Sequence, residues 1–137
     1  MGEADARYAK NAGAVFSLKY HCVWCPKYRL PVLTGAVEKR LTKLIREAAA
    51  FRGWTIHALE IMPDHVHLFV ETDPRWAPAE VMLKVKANTS RTLREEFPNL
   101  RTRMPTLWSR SYFCATVGAV SATTIRRYIE AQRGRRH

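Results

Sequence analysis

The sequence predicts an α+β fold of the ferredoxin-like kind, a four-stranded antiparallel sheet with helices on one face and one further helix at the C-terminal end. Three observations lead there. Four runs rich in β-branched and aromatic residues read as strands, and two stretches with apolar residues at helical spacing lie between them. A Pro63-Asp64 turn joins the middle two strands directly, so they form an antiparallel hairpin. The resulting order, β-α-β-β-α-β, is that of a split βαβ unit.

Length and charge bound the rest. With 137 residues the chain suits a single domain, 1–137, with a modest core and no internal repeat. No apolar run approaches the ~18 residues of a membrane span, and the segment Met1–Asp5 lacks the basic and apolar regions of a secretory signal. A cytoplasmic protein without a membrane partner is expected. The net charge is +11, from 23 Lys and Arg against 12 Asp and Glu, which favours a polyanionic partner. Nucleic acid fits better than an anionic bilayer, which would require a basic amphipathic helix with apolar anchors.

Residues 1–13 are small and polar without apolar periodicity and read as a flexible lead-in. Val15–Trp24 reads as the first strand, ended by Pro26. In Lys27-Tyr28-Arg29-Leu30-Pro31, basic groups flank an aromatic ring, an arrangement that serves either as a phosphate and base contact or as an ordinary loop. A helix follows, N-capped by Thr34, with Val37, Leu41, Leu44, Ile45 and Ala48 on one side, and Gly53 ends it. Trp54–Met62 is the second strand. After a connection bracketed by Pro74 and Pro78, a second helix runs from about Ala79 to Phe97, with Met82, Val85, Thr89 and Leu93 inward and Lys84, Arg91 and Arg94 outward. Pro98–Thr106 reads as a basic loop and Leu107–Val117 as the fourth strand. Gly118 and Ser121 open the final segment, 121–136, helical from Ala122 to about Arg133. Of the three cysteines, Cys22 and Cys25 have the spacing of a redox or zinc pair. No second pair follows, and residues three apart on a strand face opposite ways. They read as reduced packing residues, with Cys114.

The third strand carries the most pointed signal. In Met62-Pro63-Asp64-His65-Val66-His67-Leu68-Phe69-Val70, alternation sends His65 and His67 to one face and Val66, Leu68 and Val70 to the other. Two neutral imidazoles on one face are a natural pair of ligands for a divalent cation, or are simply two partly solvated histidines. Asp64 is placed either to orient a histidine or only to make the turn. On the last helix, Tyr128 and Gln132 are four residues apart and share a face, beside an apolar stripe of Ile125 and Ile129 that can dock on the sheet. A helical tyrosine is commonly a packing residue, but Arg126, Arg127, Arg133, Arg135 and Arg136 crowd the same segment and suit a phosphate-facing element. Only about a thousandth of a tyrosine with a pKa near 10 is ionised at neutral pH. It becomes a useful nucleophile when a metal or a base assists. Two histidines and an amide oxygen leave open positions on Mg2+ or Mn2+ for phosphate oxygens. Attack on a diester would yield a phosphotyrosine and a free 3′-OH, keeping the bond energy for rejoining.

These residues together resemble the single-tyrosine transposases of the HUH (His-hydrophobic-His) superfamily, the transposase A type of the smallest bacterial and archaeal insertion sequences. The resemblance rests on Tyr20-His21-Cys22-Val23-Trp24 with Lys27-Tyr28-Arg29, then Met62–His67, Trp108–Phe113, Thr116-Val117-Gly118 and Tyr128–Gln132, in that order across nearly the whole chain. Cys25 stands where a Thr or aliphatic residue is commoner. The resemblance implies cutting and rejoining of single-stranded DNA at element ends, with recognition of a hairpin formed by that strand. It implies His65, His67 and Gln132 as metal ligands, Tyr128 as the nucleophile, and Mg2+ or Mn2+ as cofactor. It further implies a homodimer with joined sheets and shared active sites, Gly118 acting as a hinge. Lys27, Arg29, Arg91 and Arg110 are candidate DNA contacts by charge and placement. Two other readings share these residues: a domesticated relative that processes repeated chromosomal hairpins, and a non-catalytic ferredoxin-like module that binds nucleic acid.

Overall fold

A computed structural model describes residues 17–132. The segment 1–13, and Arg133, Arg135 and Arg136, lie outside the described residues. The elements are β1 (Leu18–Pro26), a 3-10 turn (Lys27–Arg29), α1 (Gly35–Arg52), β2 (Thr55–Met62), β3 (His65–Thr72), α2 (Pro78–Glu96), α3 (Pro98–Arg103), β4 (Trp108–Thr116) and α4 (Ala119–Gln132). The strands form one sheet in the order β2-β3-β1-β4, with every neighbouring pair antiparallel. This is the expected ferredoxin-like arrangement.

Three details differ from expectation. The first strand, expected over Val15–Trp24, runs on to Pro26; among the described residues it begins at Leu18, and Val15 and Phe16 lie outside them. The basic loop after α2 contains a helical turn, α3, whose Pro98 sits at the first helical position, where a missing N–H costs nothing, and whose Leu100 is buried. The last helix starts at Ala119, three residues before Ala122.

Alternation along the strands separates two faces. Tyr20, Cys22 and Trp24 of β1 lie beside Val70, Leu68 and Val66 of β3, and all six are buried with Leu41 and Ile45 of α1 and Met82, Val85 and Leu93 of α2 in one apolar core. Cys22 faces its cross-strand neighbour Cys114 with 3.1 Å between sulfurs, and all three cysteines are free thiols. Gly53 ends α1 in the left-handed conformation at φ 74°, where a side chain would be strained, and its N–H caps the helix on Ala49 and Ala50 carbonyls. Thr34 is the N-terminal flanking residue as expected, but its hydroxyl makes no capping bond. At the start of α2, Glu80 accepts a hydrogen bond from the Ala77 N–H (3.1 Å). The Leu33 N–H donates to the Pro63 carbonyl (3.0 Å), pinning the turn that aims β3.

Candidate active site

On the face away from α1 and α2, β3 presents His65 and His67, their ring centroids 5.0 Å apart. Each imidazole is oriented through its Nδ1. His65 Nδ1–H donates to Asp64 Oδ1 (2.8 Å), and Asp64 in turn accepts from Arg29 Nη2 (3.0 Å). Burial pushes the Asp64 carboxyl up, but the His65 hydrogen bond and the Arg29 charge outweigh it and hold the group below its ordinary value. His67 Nδ1 lies 3.3 Å from His21 Nε2 of β1, with the two rings stacked. Only 6% of His67 is exposed. Burial, then the fields of His65 and His21, lower its pKa to about 4, and burial lowers that of His21. His67 is therefore neutral at neutral pH, the form that can ligate a metal.

Helix α4 crosses this face. Ile129 is fully buried against Phe69 and Ala58, with Ile125 and Val117 packed alongside, so the expected apolar stripe docks the helix. A polar chain phases it: Arg126 Nη2 donates to His57 Nδ1 (3.3 Å), His57 Nε2–H donates to Glu71 Oε1 (2.6 Å), and Ser17 Oγ donates to Glu71 Oε2 (2.6 Å). The chain fixes His57 as the Nε2–H tautomer. Burial raises the Glu71 pKa, but the bonds from Ser17 and His57 and the Lys19 charge leave it net lowered. Held this way, Tyr128 lies edge-on to His67 of its own chain, with ring centroids 5.8 Å apart, and remains 49% exposed. One turn on, Gln132 is buried at 7% exposure, and its Nε2 has no hydrogen-bond partner.

The two imidazoles are suited to a divalent cation. With both Nδ1 atoms engaged in orienting bonds, the Nε2 atoms of His65 and His67 make no hydrogen bond among the described residues, the arrangement that prepares histidine ligands. The buried Gln132 amide, one turn beyond Tyr128 on α4, has an Nε2 without a hydrogen-bond partner among the described residues. No group of three or more His, Cys, Asp or Glu side chains that could hold a metal occurs among the described residues, so water or substrate oxygens would complete the coordination.

The candidate DNA contacts separate. Arg29 lines a cleft together with His65 and His67, and Lys27 lies over the Tyr28 ring next to it. Arg91 lies in a different groove, between α1 and α2, with Phe51 and Arg52. Arg110 is exposed on β4, one strand position from Ser111 and therefore on the opposite face. Those two are not brought to the histidines. Sequence reasoning missed His21 as a partner of His67, and it missed His57 and Glu71. The first was accessible: in the split βαβ order β1 neighbours β3, and His21 has the parity of the site face.

Residues 14–132 match the family described as "Transposase IS200 like". The chain belongs to that family. Among relatives of this IS200-like transposase, the ISDra2 transposase TnpA of Deinococcus radiodurans is 36% identical over 125 residues, covering 90% of this chain and 89% of that protein. The transposase for insertion sequence element IS200 of Salmonella typhimurium is 30% identical over 119 residues, 85% and 78% of the two chains. A crystal structure of a transposase-like protein from Deinococcus radiodurans R1 superposes with a TM-score of 0.73 at 35% identity, covering 90% of this chain and 96% of that one. A REP-associated tyrosine transposase, solved bound to a REP hairpin, shares the fold with a TM-score of 0.65 at 12% identity, over 86% of this chain and 67% of that one. Among the described residues, no helix is long and apolar enough to cross a membrane.

Proposed function

We propose that this IS200-like transposase cuts and rejoins single-stranded DNA at the ends of its element through a 5′-phosphotyrosine on Tyr128. The observation that carries this reading is the placement of an exposed tyrosine edge-on to the buried, neutral His67, 5.8 Å between ring centroids, within one chain, with His65 beside it. In the forward step Tyr128 Oη bonds to phosphorus and gives up its proton. The bond from phosphorus to the 3′ oxygen breaks, and that oxygen takes a proton as a free 3′-OH. Attack by a 3′-OH on the phosphotyrosine reverses the step and joins strands with no other energy source. His65, His67 and Gln132 would hold Mg2+ or Mn2+, which supplies polarisation of the phosphate and stabilisation of the departing oxygen. Asp64 and His21 orient the imidazoles, and α4 delivers the phenol.

Hairpin recognition in this chain is supported by its family and by its net charge of +11. A homodimer is supported by β4, an edge strand whose outer side has no neighbour among the described strands. The reading is tested by incubating the full chain with labelled single-stranded DNA spanning an element end. An adduct that survives denaturation, forms with Mg2+ or Mn2+ and is blocked by EDTA is expected. Binding that ignores divalent ions, with no scission, would instead make the chain a non-catalytic module.

A further inference from the structure

A cleft of about 420 Å3 opens beside the histidine pair, with Val23, Arg29, His65, His67, Ser111 and Phe113 in its wall. Its size falls in the ~300–1,000 Å3 range of small organic ligands. Phe113 is 55% exposed on the sheet face, and its ring is steadied edge-on by His21 with 5.9 Å between centroids. A large apolar ring fixed in position yet left open to solvent is a stacking platform rather than a core residue. At the rim, the Arg29 guanidinium is paired with Asp64 but its side chain stays 65% exposed, leaving donors for a second anion. The turn that places it holds both Tyr28 (φ 61°) and Arg29 (φ 51°) in the left-handed region, which non-glycine residues avoid. Strain of this kind persists where surrounding structure enforces a position.

We infer that this cleft receives one unpaired nucleotide of the DNA strand next to the cleaved phosphate, its base stacked on Phe113 and a strand phosphate on Arg29. A paired base has no free face to offer the ring, so the cleft selects single strands. It is not sequence-reading, because every base has a π-face. The inference rests on single-stranded DNA being the substrate, and its test does not depend on cleavage.

The probes are fluorescein-labelled (dT)10 and an abasic chain of the same length, titrated by anisotropy into the full chain. The wild type is expected to bind (dT)10 about 10-fold tighter than the abasic chain. Phe113→Ala, at an exposed position that leaves the fold intact, removes most of that ratio without changing abasic binding, and Phe113→Trp keeps it. Arg29→Gln weakens both probes alike and flattens the salt dependence by about one phosphate contact. An unchanged ratio in Phe113→Ala overturns the inference, as does competition by dTMP at a level equal to the oligonucleotide base for base. The covalent adduct assay separates the two readings. Normal wild-type adducts with an unchanged ratio defeat the cleft alone; a lost ratio without adducts leaves the cleft standing and defeats Tyr128 chemistry.

Discussion

The two faces of the sheet use the same strands for opposite ends. Facing α1 and α2, β1 and β3 contribute Tyr20, Cys22, Trp24, Val66, Leu68 and Val70 to one continuous apolar core. Facing away, the same strands contribute His21, His65 and His67, and the apolar cover shrinks to Ala58, Phe69 and Ile129 with Val117 and Ile125. One face holds the protein together; the other gives up apolar burial to hold three imidazoles in fixed orientations. Because alternation insulates the faces, substitutions on one should leave the other's property intact.

Substitutions on each face test that separation. The largest effect is expected for Tyr128→Phe, which should lower adduct formation by roughly 10^3-fold or more while the melting temperature and DNA binding hold, since the ring is half exposed. Adducts at the normal level would remove Tyr128 from the nucleophile role. On the opposite face, Leu68→Ala, at a fully buried position, should cost about 2–5 kcal/mol of stability in a denaturant titration. The fraction that stays folded should still form EDTA-sensitive adducts; loss of metal dependence there would show that the faces are coupled.

Smaller effects test how α4 is held. His57→Leu removes both the acceptor for Arg126 and the donor to Glu71, and should slow adduct formation by about 10-fold at a stability cost of about 1–3 kcal/mol, because buried partners lose a hydrogen bond. Arg126→Gln in the same background should then add little, because both act through one contact. The smallest effect concerns pH. The Glu71 pKa is lowered in the folded state by its bonds from Ser17 and His57, so its contribution is complete above the ordinary Glu value of ~4.3 and is lost as pH falls through the lower folded value. Glu71→Gln should flatten that acid loss in an unfolding series.

Much of this organisation was legible in the chain. The split βαβ order, the Gly53 stop, the inward faces of α1 and α2 and the opposite facing of the His65–His67 and Val66–Leu68–Val70 sets all follow from local periodicity, and the structure has each of them. The docking of α4 through Ile125 and Ile129 was legible for the same reason. What resisted reading was long-range. The His21–His67 contact, 46 positions apart, follows only once the strand order is added to parity, and His57–Arg126, 69 apart, leaves no local pattern. The helical turn at Pro98–Arg103 hid behind a basic composition. Arg91 and Arg110 stand out by charge alone, and charge does not say which side of a sheet a residue ends on.

The pinned turn at Pro63 has one more consequence. It sets the phase from which β3 alternates, so the strand obeys a parity rule. Inserting or deleting a single residue between Asp64 and His65 would drive both imidazoles into the hydrocarbon interior and push three aliphatic side chains into water. Length in this segment is thus constrained as tightly as identity: descendants of the sequence can change the loops one residue at a time, but this strand only by twos.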